Sequence, residues 1–368
     1  MPSSRSPLQC LSALGQSVWI DSLSREWIRG GKLSQLIDKD AVVGATSNPT
    51  ILQKAMSSGD AYDAQLRELA GREASEVFWT LAEQDIGEAC DVFRRVYDSG
   101  LGRDGYVSIE VDPRLAYDSL ASFREAVRLH GAIDRPNLLV KIPATKPGLA
   151  AIEDAIAAEH SINVTLIFSL RRYAEVVESY ICGLERLVAE GGDPRKVVSV
   201  ASFFVSRIDT EADRRLDEIG GHEELKGRLA IANAKLAYEH YLQAFGTERW
   251  EYLESKGATP QRVLWASTST KNPAYPDTLY VDELIGPDTI NTMPLETIEA
   301  FQDHGAPRPT LQGGLGQARA TFEQLERAGI DYDDVTDTLE REGVEKFEAS
   351  FHELLSELAA KLGSLAAA

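Results

Sequence analysis

Eight short apolar runs, most followed by a longer stretch with helical periodicity, constrain this chain more than any other feature. The runs cover 17–21, 42–46, 106–111, 137–143, 161–168, 197–202, 262–267 and 288–293. The helical stretches cover 62–96, 113–130, 148–158, 170–190, 211–245 and 295–303. Strand followed by helix, repeated, builds a parallel sheet with helices outside it. Eight repeats favour closure into a (β/α)8 barrel, the TIM-barrel member of the α/β class. An open doubly wound sheet wants a glycine-rich first turn. The first turn here, Asp21-Ser22-Leu23-Ser24-Arg25, is not one. Beyond Gln312 the pattern is helical, over 315–327 and 331–362, with Phe347, Phe351, Leu354, Leu355 and Leu358 forming an apolar stripe. These read as added helices packing on the barrel. The expectation is one domain over 1–368, with a barrel core over 17–310 and C-terminal helices over 311–362. The alanine-rich end, 364–368, is expected to fray. The apolar residues of the C-terminal helices can pack internally or form an interface, which leaves monomer and homodimer both open.

Composition narrows the function. With 43% hydrophobic residues over 368 the chain can bury a large core. Its net charge of −20 argues against nucleic acid as a partner. Any anionic substrate must then be held by a few local cations, against the overall field. Cys10, Cys90 and Cys182 are far apart, form no paired framework and suit a reducing cytoplasm. Met1-Pro2-Ser3-Ser4-Arg5-Ser6-Pro7 has no apolar segment of a secretion signal, and no run of 18 apolar residues occurs, so neither secretion nor a membrane is expected.

Lys141 stands out chemically. It lies in Leu138-Leu139-Val140-Lys141-Ile142-Pro143, which otherwise reads as a fully buried strand. An unpaired buried ammonium is costly. Such a lysine is either paired, Glu110 being the candidate, or held neutral, and a neutral lysine amine attacks carbonyls to form Schiff bases. Alternate strand residues face opposite sides. Val107, Ile109 and Val111 suit the helix side, so Ser108 and Glu110 point into the barrel. In the fifth strand Ile162, Val164, Leu166 and Phe168 suit the helix side, leaving Asn163 and Thr165 inside. Asp21 closes the first strand and Asn48 follows the second. A carboxylate, an amine, an amide and a hydroxyl thus converge near the C-terminal strand ends, where barrel chemistry sits. An imine on a ketose is an electron sink, so the adjacent C–C bond can break if a base takes the proton of a neighbouring hydroxyl. Asp21 is the candidate base. Glu110 with Thr165 are candidates for shuttling protons through water. This chemistry needs no cofactor and no metal. Bland alternatives stand beside these roles. Asn163 and Thr165 can hydrogen bond each other as barrel filling, and Asp21 can cap the following helix.

Three segments carry a resemblance. Gly44-Ala45-Thr46-Ser47-Asn48-Pro49-Thr50, Leu139-Val140-Lys141-Ile142-Pro143-Ala144-Thr145 and Ile162-Asn163-Val164-Thr165-Leu166-Ile167-Phe168 occur in the order found in transaldolases. Over Val18 to Met293 the chain resembles that family, and its length is similar to that of the larger actinobacterial members. The resemblance implies a (β/α)8 barrel that moves a dihydroxyacetone unit between phosphorylated sugars. The donor is sedoheptulose 7-phosphate and the acceptor glyceraldehyde 3-phosphate. The products are erythrose 4-phosphate and fructose 6-phosphate, in the non-oxidative pentose phosphate pathway. The family's Schiff-base lysine falls on Lys141, its acid/base aspartate on Asp21, and its water-holding pair on Glu110 and Thr165. Its hydroxyl-binding asparagines fall on Asn48 and Asn163, a serine lining the site on Ser202, and its phosphate-binding arginine on Arg207. Arg207 has a bland reading as well, a surface ion pair with Asp209 or Glu211.

The chain also departs from the pattern. Many relatives read Ser-Pro-Phe where this chain has Ser202-Phe203-Phe204, and Ser-Phe-Arg where it has Ser267-Thr268-Ser269. Ser267 keeps the serine, but Ser269 cannot hold a phosphate by charge. Lys271, two residues on, is the expected substitute. A related group, the fructose 6-phosphate aldolases, tends to carry a tyrosine at the position of Phe204. That aldolase activity and a catalytically silent barrel scaffold are the alternative functions.

Overall fold

The computed structural model describes residues 5–57 and 59–366. Residues 1–4, on which part of the leader reading falls, lie outside the described residues, as do Ala367 and Ala368 of the expected frayed end. Among the described residues there are eight strands: β1 (Gln16–Ile20), β2 (Val42–Thr46), β3 (Val107–Glu110), β4 (Leu138–Pro143), β5 (Ile162–Ile167), β6 (Ser199–Phe204), β7 (Arg262–Ala266) and β8 (Thr289–Met293). Each pairs in parallel with the next, and β8 returns to β1, which closes the barrel. Parallel strands are covered on both faces, which is why they appear in the sequence as near-continuous apolar runs. Every strand boundary falls within two residues of its expected position.

The helices differ more from expectation. The stretch 62–96 is two helices, Asp63–Glu68 and Ala74–Ser99, and the helix Pro49–Ser57 before them was not expected. The stretch 211–245 is two helices, Ser206–Ile219 and Leu229–Ala244. Apolar periodicity continues across both breaks. The separation in the second comes from Gly220, Gly221 and Gly227, which adopt φ of +82°, +80° and +69°, a conformation no helix interior accepts. Helix starts follow side-chain caps. Ser24, Thr145 and Ser169 each accept a hydrogen bond from the backbone N–H three residues on. Ser24, not Asp21, therefore caps the helix after β1, and Asp21 is left to the barrel mouth.

The C-terminal helices pack on the barrel. Leu315–Arg327 lies on Leu229–Ala244, while Tyr332–Ala366 crosses Pro49–Ser57, Ala74–Ser99 and Ser206–Ile219. The terminal helix runs to Ala366. Phe347, Phe351, Leu354 and Leu358 are buried within the chain, which settles their stripe as internal packing. At Gly343 the helix touches the barrel. A Cβ there would stand 3.0 Å from Leu166 Cδ2 and 3.6 Å from the Phe168 ring. Leu166 was expected to face the outer helices with Ile162 and Val164. Instead it has φ of +59°, the β5–β6 register shifts between Val164 and Ile167, and its side chain meets the terminal helix. A left-handed non-glycine residue breaks the strand alternation at that point.

Candidate active site

Register brings the expected residues together before any side chain is considered. Glu110 on β3 is level with Lys141 on β4, Lys141 with Asn163 on β5, and Pro143 with Thr165. Neighbours level in a parallel sheet share a face, so the inward parity read from β3 and β5 extends to Lys141. The interior hydrogen bonds agree. Asn163 Nδ2 donates to Ser108 Oγ at 3.0 Å, and Ser202 Oγ donates to Asn163 Oδ1 at 2.7 Å. Asn163 is thus fixed from both sides, and its partner is not Thr165 as the barrel-filling reading proposed. Lys141 is 5% exposed. Its Nζ donates to the Ser47 carbonyl at 3.1 Å and lies 3.5 Å from Glu110 Oε2. The amine is therefore not isolated among apolar side chains: the buried pair with Glu110 exists. Burial raises the Glu110 pKa, and the positive charge of Lys141 only partly opposes this. Both Glu110 oxygens and Thr165 Oγ1 are buried without a hydrogen-bond partner in the protein. Those groups have capacity to spare for a reactant.

Asp21 follows β1, where its N–H donates to the Met293 carbonyl at 2.8 Å. Thr46 Oγ donates to Asp21 Oδ1 at 2.7 Å and lies 2.8 Å from Thr292 Oγ. A hydroxyl has one proton, so with Thr46 donating to Asp21 it is Thr292 that donates to Thr46. The half-buried Asp21 also has its pKa raised by burial. The Thr46 hydrogen bond and then the charges of Lys141, Lys271 and Arg207 pull it back.

These groups open on a cavity of 460 Å³. Asp21, Asn48, Lys141, Thr165, Ser202, Phe204, Arg207, Ser267 and Lys271 line it, whereas Glu110 and Asn163 do not. Asn48 Oδ1 accepts from the Ile51 N–H at 3.0 Å and so also starts the helix Pro49–Ser57. The Arg207 guanidinium lies 5.2 Å over the Phe204 ring, which packs on Phe168. The alternative partners of Arg207 are engaged elsewhere. Asp209 accepts from the Ala230 N–H and Tyr280, and Glu211 pairs with Arg214 and Arg215. Burial lowers the pKa of Arg207 and of Lys271, whose Nζ donates to Ser269 Oγ at 2.6 Å. Ser267 has φ of +57°, and its Oγ lies 3.0 Å from Ser206 Oγ, tying the β7 end to the helix that carries Arg207.

Sequence reasoning missed several lining residues. Thr46 and Thr292 were within reach of the parity argument applied to β2 and β8. Lys54 and Lys346 come from helices, and nothing local in the sequence marks them. Among the described residues no group of three or more His, Cys, Asp or Glu is placed to hold a metal ion. No helix among them is long and apolar enough to cross a membrane.

Comparison with known proteins agrees with the geometry. A family model described as Transaldolase/Fructose-6-phosphate aldolase matches residues 18–358. The match extends past the Val18 to Met293 stretch that carried the resemblance and includes most of the terminal helix. Proteins named transaldolase are similar along almost their whole length. The one from Acidothermus cellulolyticus is 54% identical over 352 residues, 95% of each chain. That from Frankia alni is 51% identical over 362 residues, 97% of this chain and 98% of its own. That from Mycobacterium bovis is 51% identical over 365 residues, 98% of both. With the barrel, the buried lysine and the match all in the same register, the chain belongs to the transaldolase/fructose-6-phosphate aldolase family.

Proposed function

We propose that this chain is a cytoplasmic, single-domain transaldolase that moves a dihydroxyacetone unit from sedoheptulose 7-phosphate to glyceraldehyde 3-phosphate through an imine on Lys141. The observation that carries the reading is the placement of Lys141 and Asp21 on one cavity, with Glu110 3.5 Å behind the amine. Lys141 Nζ adds to the ketone carbon of the donor, and loss of water from the adduct gives the imine. Glu110, level with Lys141, and Thr165, with its unpartnered hydroxyl, hold the water that carries those protons. Asp21 takes the proton of the hydroxyl next to the breaking bond. The C–C bond cleaves, its electron pair moves into the imine, and erythrose 4-phosphate leaves. Glyceraldehyde 3-phosphate then adds to the enamine, and hydrolysis frees fructose 6-phosphate. Asn48, Ser202 and Ser267 order the sugar hydroxyls, with Asn163 behind them accepting from Ser202, while Arg207 and Lys271 hold the phosphate.

Transfer is favoured over hydrolytic release of dihydroxyacetone by Phe204. It lines the cavity and packs on Phe168, and phenylalanine has no hydroxyl to guide water to the enamine. Reduction with borohydride in the presence of fructose 6-phosphate tests the imine. Covalent mass is expected on the peptide containing Lys141 and not in Lys141→Arg; a wild-type protein without adduct overturns the reading. Turnover of fructose 6-phosphate with no aldehyde acceptor would make the chain an aldolase instead.

A further inference from the structure

Besides Lys141 and Lys54, three cations from three separate elements line the cavity. Arg207 opens the helix after β6, Lys271 lies in the β7–β8 connection, and Lys346 stands on the helix Tyr332–Ala366. Among the described residues none of the three forms an ion pair with a carboxylate, although the chain carries 58 acidic residues against 38 basic ones. Elsewhere arginines are commonly bound by carboxylates, as Arg214, Arg215 and Arg249 are. Converging cations raise one another's energy, and the Asp21 carboxylate offsets only part of this at Arg207 and Lys271. The neighbouring Arg207 charge is the main reason the Lys346 pKa is lowered, and it also contributes to that of Lys271 after burial. Such a cluster is relieved by an incoming anion, and the relief appears as affinity.

The helix holds Lys346 in place. Residues three, four and seven apart share a helix face. Gly343 rests against Leu166 and Phe168, Phe347 is buried and lines the cavity, and Ser350 Oγ accepts from Thr50 Oγ at 2.9 Å. Lys346 lies on that same barrel-facing stripe. It stays solvent-exposed at the open mouth, as a group that meets an arriving anion must.

We propose that Lys346 is a third phosphate ligand, which binds the terminal phosphate monoester dianion of the sugar substrates together with Arg207 and Lys271. The C-terminal helix thereby becomes part of substrate recognition. The proposal rests on the transaldolase reading for the identity of the substrates, but the anion site itself does not depend on it. In the full chain, Lys346→Ala is expected to raise KM for erythrose 4-phosphate and fructose 6-phosphate about three- to tenfold, with kcat within about twofold. Lys346→Arg should restore most of the loss. KM for unphosphorylated glyceraldehyde as acceptor should not move, and inhibition by inorganic phosphate should weaken in step. Unchanged KM for the phosphorylated substrates in Lys346→Ala overturns the proposal. So does an equal rise for glyceraldehyde, which would mean a displaced helix. If the wild type transfers nothing, calorimetric titration with inorganic phosphate still decides: weaker binding to Lys346→Ala supports the site, and equal binding ends it.

Discussion

At the scale of single residues the site works by setting carboxyls against their environment. Asp21 and Glu110 both resist ionisation because they are buried, and both are restrained by nearby cations. Rates should therefore fall on the acid side at a pH above the ordinary carboxylate range of about 4, as each group takes up its proton. Asp21→Asn separates the two. The imine does not need Asp21, so Lys141 should still be trapped by borohydride, whereas kcat should drop about 10²-fold or more. The residual acid limb should then report Glu110 alone. An Asn variant that keeps the wild-type rate would remove Asp21 from the chemistry. Strand parity, a local rule with period two, turned Glu110, Asn163 and Thr165 inward from the sequence, while Lys141 stood out as the one charge in an apolar run. Thr46 was open to the same rule on β2. The Lys141–Glu110 distance was not legible, because it depends on how two strands register and how far each side chain reaches.

At the scale of elements, two tyrosine–aspartate hydrogen bonds tie together the elements that carry Arg207 and Lys271. Tyr275 donates to Asp213 Oδ2 at 2.5 Å, and Tyr280 donates to Asp209 Oδ2 at 2.8 Å. Both tyrosines belong to the connection that carries Lys271, and both aspartates to the helix that carries Arg207. Burial pushes the Asp209 pKa up to about 7. The folded chain then holds a proton on Asp209 that the unfolded chain has released above about pH 4. The contribution of this group to stability is full below that value and is lost as pH rises through about 7. Asp209→Asn keeps an acceptor for the Ala230 N–H but does not titrate. Its melting temperature should accordingly fall less than the wild type's between pH 5 and pH 8, measured by circular dichroism. Equal slopes would show that Asp209 stays ionised in the fold. Helix positions were legible where caps and periodicity agreed, as at Thr145 and Ser169. They were misread across 211–245, where periodicity runs on through three glycines whose φ only the folded chain reveals.

At the scale of the whole molecule, the barrel supplies most of the cavity lining and an added helix contributes Lys346 and Phe347 to it. That helix is bound along its length. Arg215 pairs with Asp334 and Arg172 with Glu340 near one end, and Phe351 packs edge-on to Phe78 with centroids 5.2 Å apart further on. Phe351 is 1% exposed and also lies under the Arg114 guanidinium. Phe351→Ala should cost about 3–5 kcal/mol in urea unfolding, the range for truncating a buried aromatic ring. A cost below about 1 kcal/mol would mean that the helix is not a cooperative part of the barrel.

The sequence by itself determined the eight-fold strand and helix alternation, the closed barrel, and the buried lysine with its inward-facing neighbours. Those follow from hydrophobic periodicity and from the two-fold alternation of a strand, which act between residues close in the chain. Only the tertiary structure decided that Glu110 lies beside the Lys141 amine and that Leu166 breaks β5 to meet Gly343. It also brought Lys346, more than two hundred residues after Lys141, to the same cavity. Contacts between distant segments depend on how helices cross a closed barrel, and no local pattern of side chains records that crossing.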